Sequence, residues 1–269
     1  MKRIILALFV VSIFSSSFAQ DLSEGLQAKN DGNDAFRNRD YVEAIQYWDK
    51  YLNSGEEEAE DDFSTQQLIV RSHRLAADAF LQERDFKSAY DYYQKYLEIG
   101  GDEAAEDGGV AYNMAISASR LDNNEEALRL FKRAVELNSR ADLSMLYIAN
   151  IYRGEGNEEK MIATLREALE KYPQSNQRSR MISMLVNPML REASEPFNEA
   201  NELARNAAGG SPNDYIANMS KAVSKFEEAI PLFEEVLKYD PRNETAQTYL
   251  AASRDNIRAF NDYKDSLDN

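Results

Sequence analysis

The sequence predicts an all-α solenoid, a single-file stack of antiparallel helix pairs. Three observations carry that expectation. Apolar residues recur at three- and four-residue spacing along most of the chain, as in "AVELNSRADLSMLYIANIY" and "MIATLREALEKY", the period of a helix with one buried face. Glycine and proline fall mostly in short connectors, and no segment alternates polar and apolar residues as a strand would. The chain also repeats itself at intervals too long for one helix.

The first element is a leader. Lys2 and Arg3 precede the apolar run Ile4–Phe14, and Ser17 and Ala19 stand at small-residue cleavage positions, so residues 1–19 read as a cleaved secretory signal peptide. The run is well short of the roughly 20 residues that span a bilayer, and nothing else approaches that length, so no transmembrane segment is expected. The expected location is outside the cytoplasm: the periplasm first, with the cell surface or secretion as the other destinations. The chain has no cysteine, which excludes disulfides and a lipid-modified cysteine. Removing Lys2 and Arg3 leaves 29 basic against 47 acidic residues, a net charge of −18. So acidic a surface argues against nucleic acid and anionic membrane as partners.

The repeats follow. A small residue is succeeded by alanine twelve positions on and a large apolar residue four further: Gly32, Ala44, Trp48; Ala77, Ala89, Tyr93; Ala115, Ala127, Phe131; and, with methionine for alanine, Ala149, Met161, Leu165. Small residues let two helices approach, and the large residue fills the space beside the crossing. The interval shortens along the chain. It is longest from Ala44 to Ala89, shorter from Ala89 to Ala127 and shortest from Ala127 to Met161. The first two units therefore carry insertions, including the acidic "GEEEAEDDFS". In "RDYVEAIQYWDKYLNSG" and "RDFKSAYDYYQKYLEIG", Tyr51 and Tyr96 stand where later units have Ala134 and Ala168. These rings are expected to be buried on second helices and to widen the spacing there, with Tyr47 and Tyr92 partly exposed. Four repeats over residues 20–173 are expected. Residues 174–242 read as a hairpin of two long helices, kinked near Pro188, Pro196 and Pro231, with Ala217, Ala229 and Phe233 matching the repeat spacing a further time. At Ser224–Phe226 either a turn or mid-helix fits. Residues 243–269 hold a final capping helix, Glu244–Ser266, with a polar outer face.

These spacings resemble the tetratricopeptide repeat (TPR) family, whose unit is a pair of antiparallel helices with small residues at the crossing. "EANEL" and "AIPLFEEVLKYDP" look like segments of a long-hairpin variant in exported TPR proteins of Bacteroidetes. The resemblance implies a right-handed superhelix whose first helices line a concave, peptide-binding face. Assigning six inward positions to each of the first four units selects a set with six basic members and one acidic, against the sign of the chain. The candidate partner-binding residues are Lys29, Asn33, Arg37, Arg71, Arg74, Tyr112, Asn113, Arg120, Asn150 and Arg153. Arginine suits carboxylates and asparagine suits peptide backbone. The expected ligand is therefore an acidic or C-terminal peptide of a protein partner. Lys29 and Asn33 match two positions of the family's carboxylate clamp, and the clamp's remaining basic positions are missing.

Nothing in the sequence points to catalysis. His73 is the one histidine, no nucleophile elbow or phosphate loop occurs, and the acidic run lacks the order of a calcium loop. No catalytic residue, metal or cofactor is expected. The function expected is a non-catalytic interaction scaffold or adaptor of the cell envelope. The alternative is a periplasmic glycan- or small-ligand-binding protein using Phe36, Tyr112 and Tyr147.

Overall fold

The computed structural model describes residues 22–207 and 211–267. The expected signal peptide lies outside the described residues. Within them the chain forms eleven helices and no strand. Five pairs succeed one another: α1 (Glu24–Asn38) with α2 (Tyr41–Leu52), α3 (Phe63–Glu83) with α4 (Phe86–Ala105), α5 (Gly108–Arg120) with α6 (Asn124–Glu136), α7 (Ala141–Gly154) with α8 (Glu158–Lys171), and α9 (Arg178–Ala207) with α10 (Pro212–Tyr239). Helix α11 (Glu244–Leu267) comes last. Each helix packs chiefly on its neighbours in the chain, which makes the fold an all-α solenoid of helix pairs.

The repeat is written into the turns as well as the core. Arg39, Arg84, Asp122 and Gly156 all take left-handed backbone, at φ 69°, 64°, 58° and 72°. After each, the next N–H closes back on the first helix: Asp40 to Ala35, Asp85 to Phe80, Asn123 to Ala118 and Asn157 to Tyr152, at 2.9–3.0 Å. These four positions keep the same succession of intervals as Ala44, Ala89, Ala127 and Met161. Asp85, Asn123 and Asn157 then cap the second helix by accepting a backbone N–H. Ser23, Asp62 and Asp107 cap α1, α3 and α5 in the same way.

Trp48, Tyr93, Phe131 and Leu165 are all fully buried. The small residue is glycine only where the partner is tryptophan. A Cβ on Gly32 would lie 2.6 Å from the Trp48 ring, so alanine does not fit there unless the ring shifts. Tyr51 and Tyr96 are buried and Tyr47 and Tyr92 half-buried. The longest interval comes largely from added helix. Helix α3 has 21 residues against 15, 13 and 14 in α1, α5 and α7, and α4 has 20 against 12, 13 and 14 in α2, α6 and α8. The added turns run along the helix axes. Those of α4 are broken at Gly101, whose φ 60°, ψ −147° is a conformation essentially reserved for glycine.

In the last third, Ser224–Phe226 is mid-helix in α10, and Pro188, Pro196 and Pro231 lie inside α9 and α10. The spacing match at Ala217 is a coincidence. Ala217 and Ala229 share one helix, where twelve residues turn about 120° past whole turns, and Ala217 is exposed while Ala229 and Phe233 are buried. The buried small residues of the partner helix are Ala193, Ala200 and Ala207. Helix α11 buries Ala246, Leu250, Ser253 and Phe260 and presents charged and polar residues outward. Among the described residues, no helix is long and apolar enough to cross a membrane, and no group of His, Cys, Asp or Glu side chains is arranged to hold a metal ion.

Candidate functional site

The ten candidate residues do not form one groove. Several of their charges are taken up by junctions between successive first helices. The residue three before the small one meets the residue that precedes the next first helix, in a contact that recurs along the stack. In the first junction, Lys29 Nζ lies 2.7 Å from a carboxylate oxygen of Asp62, the cap of α3, and over the Tyr51 ring. Burial works to raise the Asp62 pKa, but hydrogen bonds from Lys29, Ser64 and Thr65 outweigh it and hold the carboxyl well below the usual range. The bond to Asp62 raises Lys29 against its own desolvation. In the second junction, Arg74 Nε lies 3.2 Å from Asp107, the cap of α5.

The third junction is different. Tyr112 stands on the helix, and the residue preceding α7 is Arg140, itself on left-handed backbone at φ 47°. The guanidinium lies 4.8 Å above the Tyr112 ring. No carboxylate among the described residues pairs with it. Tyr112 is buried edge-on against Phe131 and Tyr147, and Phe131 and Tyr147 stack at 4.9 Å. Burial, reinforced by the neighbouring Tyr147 and opposed by Arg140, pushes the Tyr112 hydroxyl up to about 12. It is therefore a neutral hydrogen-bonding group at ordinary pH.

Around this aromatic floor a cleft of about 440 Å³ opens between α3, α5 and the start of α7. Its wall carries Arg84, Arg120 and Arg140 together with Asn113, Phe86 and Tyr147, and no acidic residue. Arg120 lies 6.0 Å above the Phe86 ring. None of the three arginines has a carboxylate partner among the described residues. The cleft thus presents three unneutralised guanidiniums, two of them over rings, in a chain of formal net charge −16. Arg84 and Arg140 fall outside the first-helix positions selected from the sequence, because both sit in turns. The recurrence of "RD" at residues 39 and 84 is the available signal for the first, and Arg140 has none.

The remaining candidates are dispersed. Asn33 accepts the Trp48 indole N–H at 3.2 Å, and Arg37 pairs with Asp34 on its own helix. Asn113 donates to the Tyr93 hydroxyl at 3.0 Å and to Asp78 at 3.3 Å, so it is shared between the core and the cleft. Arg71 lies over Phe36 and, with Arg74, lines a second cleft on α3 and α4. Arg153 donates to Asn150, and both line a third cleft facing α9. Of the rings considered for stacking on a sugar, Tyr112 is buried and Phe36 lies between Trp48 and Arg71, while Tyr147 is half-buried with one face on Phe131. His73 is buried, with Nδ1 2.9 Å from the Ile69 carbonyl oxygen, and packs near Tyr92.

Residues 112–176, which include the floor of this cleft, match the family model for the tetratricopeptide repeat. No curated protein matches the chain. Among solved structures the chain is similar to a TPR repeats protein from Bacteroides fragilis, at 17% identity over 86% of this chain and 97% of that one, with a TM-score of 0.40. It is similar to the P58(IPK) TPR domain at 17% identity over 88% and 71%, TM-score 0.41. It is also similar to the TPR2AB domain of yeast Sti1 in complex with pHSP90, at 14% identity over 91% and 88%, TM-score 0.36.

Proposed function

We propose that the chain is a non-catalytic interaction module that holds an acidic peptide segment of a protein partner in the cleft between α3, α5 and α7. The observation that carries this reading is the trio Arg84, Arg120 and Arg140 on a cleft wall without an acidic residue. Guanidiniums held over rings are oriented before a ligand arrives, which reduces the entropy lost on binding and favours bidentate contact with carboxylates. The partly exposed Phe86 and Tyr147 offer apolar surface to a side chain beside those carboxylates. In this reading the chain is an adaptor of the cell envelope, exported by the signal pattern at residues 1–19, with the periplasm as its compartment.

The test uses synthetic peptides of alternating Glu and Phe, with Gln-for-Glu peptides as controls, titrated calorimetrically into the purified protein. The acidic peptide should bind at least about tenfold more tightly than the neutral one, and more weakly as salt rises. Arg120→Glu with Arg140→Glu should abolish that preference without changing the melting temperature. Equal affinity for both peptides would refute the assignment.

A further inference from the structure

The turns added to the second helix pair build a surface that the other short pairs lack. Phe63, the first residue of α3, is 68% exposed. Gln67, Val70, Arg71 and Arg74 follow it at helical spacing on the same face. They line a cleft of about 650 Å³ whose opposite wall is the end of α4, with Tyr96, Ile99, Gly100 and Glu103. Ile99 is also exposed, and Gly101 reverses the backbone just beyond it. The added turns thus end in apolar residues facing solvent, at the tip of the one pair among the first four that has such turns.

The patch also carries both signs of charge: Arg71, Arg74 and Glu103 line the cleft, and two further acids precede Phe63. Arg71 has no carboxylate partner among the described residues, and Arg74, bonded through Nε to Asp107, remains partly exposed. Glu60 and Asp61, just before Phe63, are exposed and form no ion pair among the described residues. A surface holding an exposed ring, a cleft of mixed polar and apolar lining, an arginine without a carboxylate partner and exposed carboxylates complements a copy of itself turned about a twofold axis.

We infer that this tip is a self-association surface: Phe63 of one copy enters the cleft of a second, and Glu60 and Asp61 of each face Arg71 of the other. The two contacts form together or not at all, because the symmetry makes each copy both donor and acceptor.

Analytical ultracentrifugation of the protein over a concentration series tests it. The protein should pass from monomer to dimer, and Phe63→Asp or Ile99→Asp should raise the dimer dissociation constant at least about tenfold, with helical content and melting unchanged. Arg71→Glu alone should be monomeric by repulsion from Asp61, and Glu60→Arg with Asp61→Arg alone should be monomeric by repulsion from Arg71. An equimolar mixture of those two variants should dimerise, because only the mixed pair has opposite charges at both contacts. Wild-type protein that stays monomeric at the highest concentration, or a mixture no more associated than its components, overturns the proposal.

Discussion

The first two junctions between first helices and the third place the same structural positions in opposite electrical states. In the first two a cation on the helix is met by the capping carboxylate of the next, Lys29 by Asp62 and Arg74 by Asp107. In the third the cation moves to the cap, as Arg140, and lies over an uncharged ring. A second difference runs in parallel. Trp48 and Tyr93 end in polar groups, which donate to Asn33 and Asp78 on the preceding helix. Phe131 and Leu165 have no such group, and the matching positions are Ile116, which needs no partner, and Asn150, which donates to its own helix. The early units therefore commit their polar groove positions to holding the fold together. At the third junction, where that demand ends, three unneutralised arginines collect around one cleft.

The comparison can be broken most severely at Trp48. Trp48→Ala leaves a cavity opposite a glycine that cannot fill it, and should cost about 3–5 kcal/mol by urea unfolding. Gly32→Ala forces the ring to move and should cost about 1–3 kcal/mol, despite alanine's better helix propensity. Tyr93→Phe removes the donor to Asp78 and the acceptor of Asn113 and should cost roughly 1–3 kcal/mol, seen as a lower unfolding midpoint.

Asp62→Asn should cost about 1 kcal/mol from the weakened cap and ion pair, and its pH dependence sharpens the point. The folded pKa of Asp62 is depressed, so its contribution is complete above the ordinary carboxylate range and lost as pH falls through the folded value. The folded pKa of Lys29 is raised, so its contribution is complete below the ordinary lysine range and lost as pH rises through its own folded value. The difference between wild type and Asp62→Asn should be flat near neutrality and shrink toward both extremes. The smallest effect on stability belongs to the third junction. Arg140→Asp with Tyr112→Lys transplants the chemistry of the first junction, and should remove acidic-peptide binding while Arg140→Asp alone shifts stability by no more than about 0.5 kcal/mol.

The fold was legible because it is specified several times over. The small and large packing residues and the turn residues from Arg39 to Gly156 keep one set of intervals, and any of them places the pairs. Ala217 misled because a spacing does not say whether its members share a helix. The site was less legible because charge on a groove depends on residues outside it. Lys29 and Arg74 look available until Asp62 and Asp107 arrive from the next unit, each at the same remove along the chain. Arg84 and Arg140 reach the cleft from turns, where helical periodicity has nothing to select them.

The fully buried cores of the described stack fall into three clusters, bridged by half-buried residues: Tyr92 packs against the first two and Leu52 against the last two. Buried residues from Ala77 to Phe260 form one continuous cluster, whereas Ala35, Ala44, Ile45, Trp48 and Ile69 form another, and Ala28, Tyr51 and Ala59 a third. A linear array opens from whichever end is least coupled to the rest. Among the described helices that pair is α1 and α2, tied to the rest through Ile69 and Tyr92, so opening there should expose this seam before it reaches the Arg84, Arg120 and Arg140 cleft.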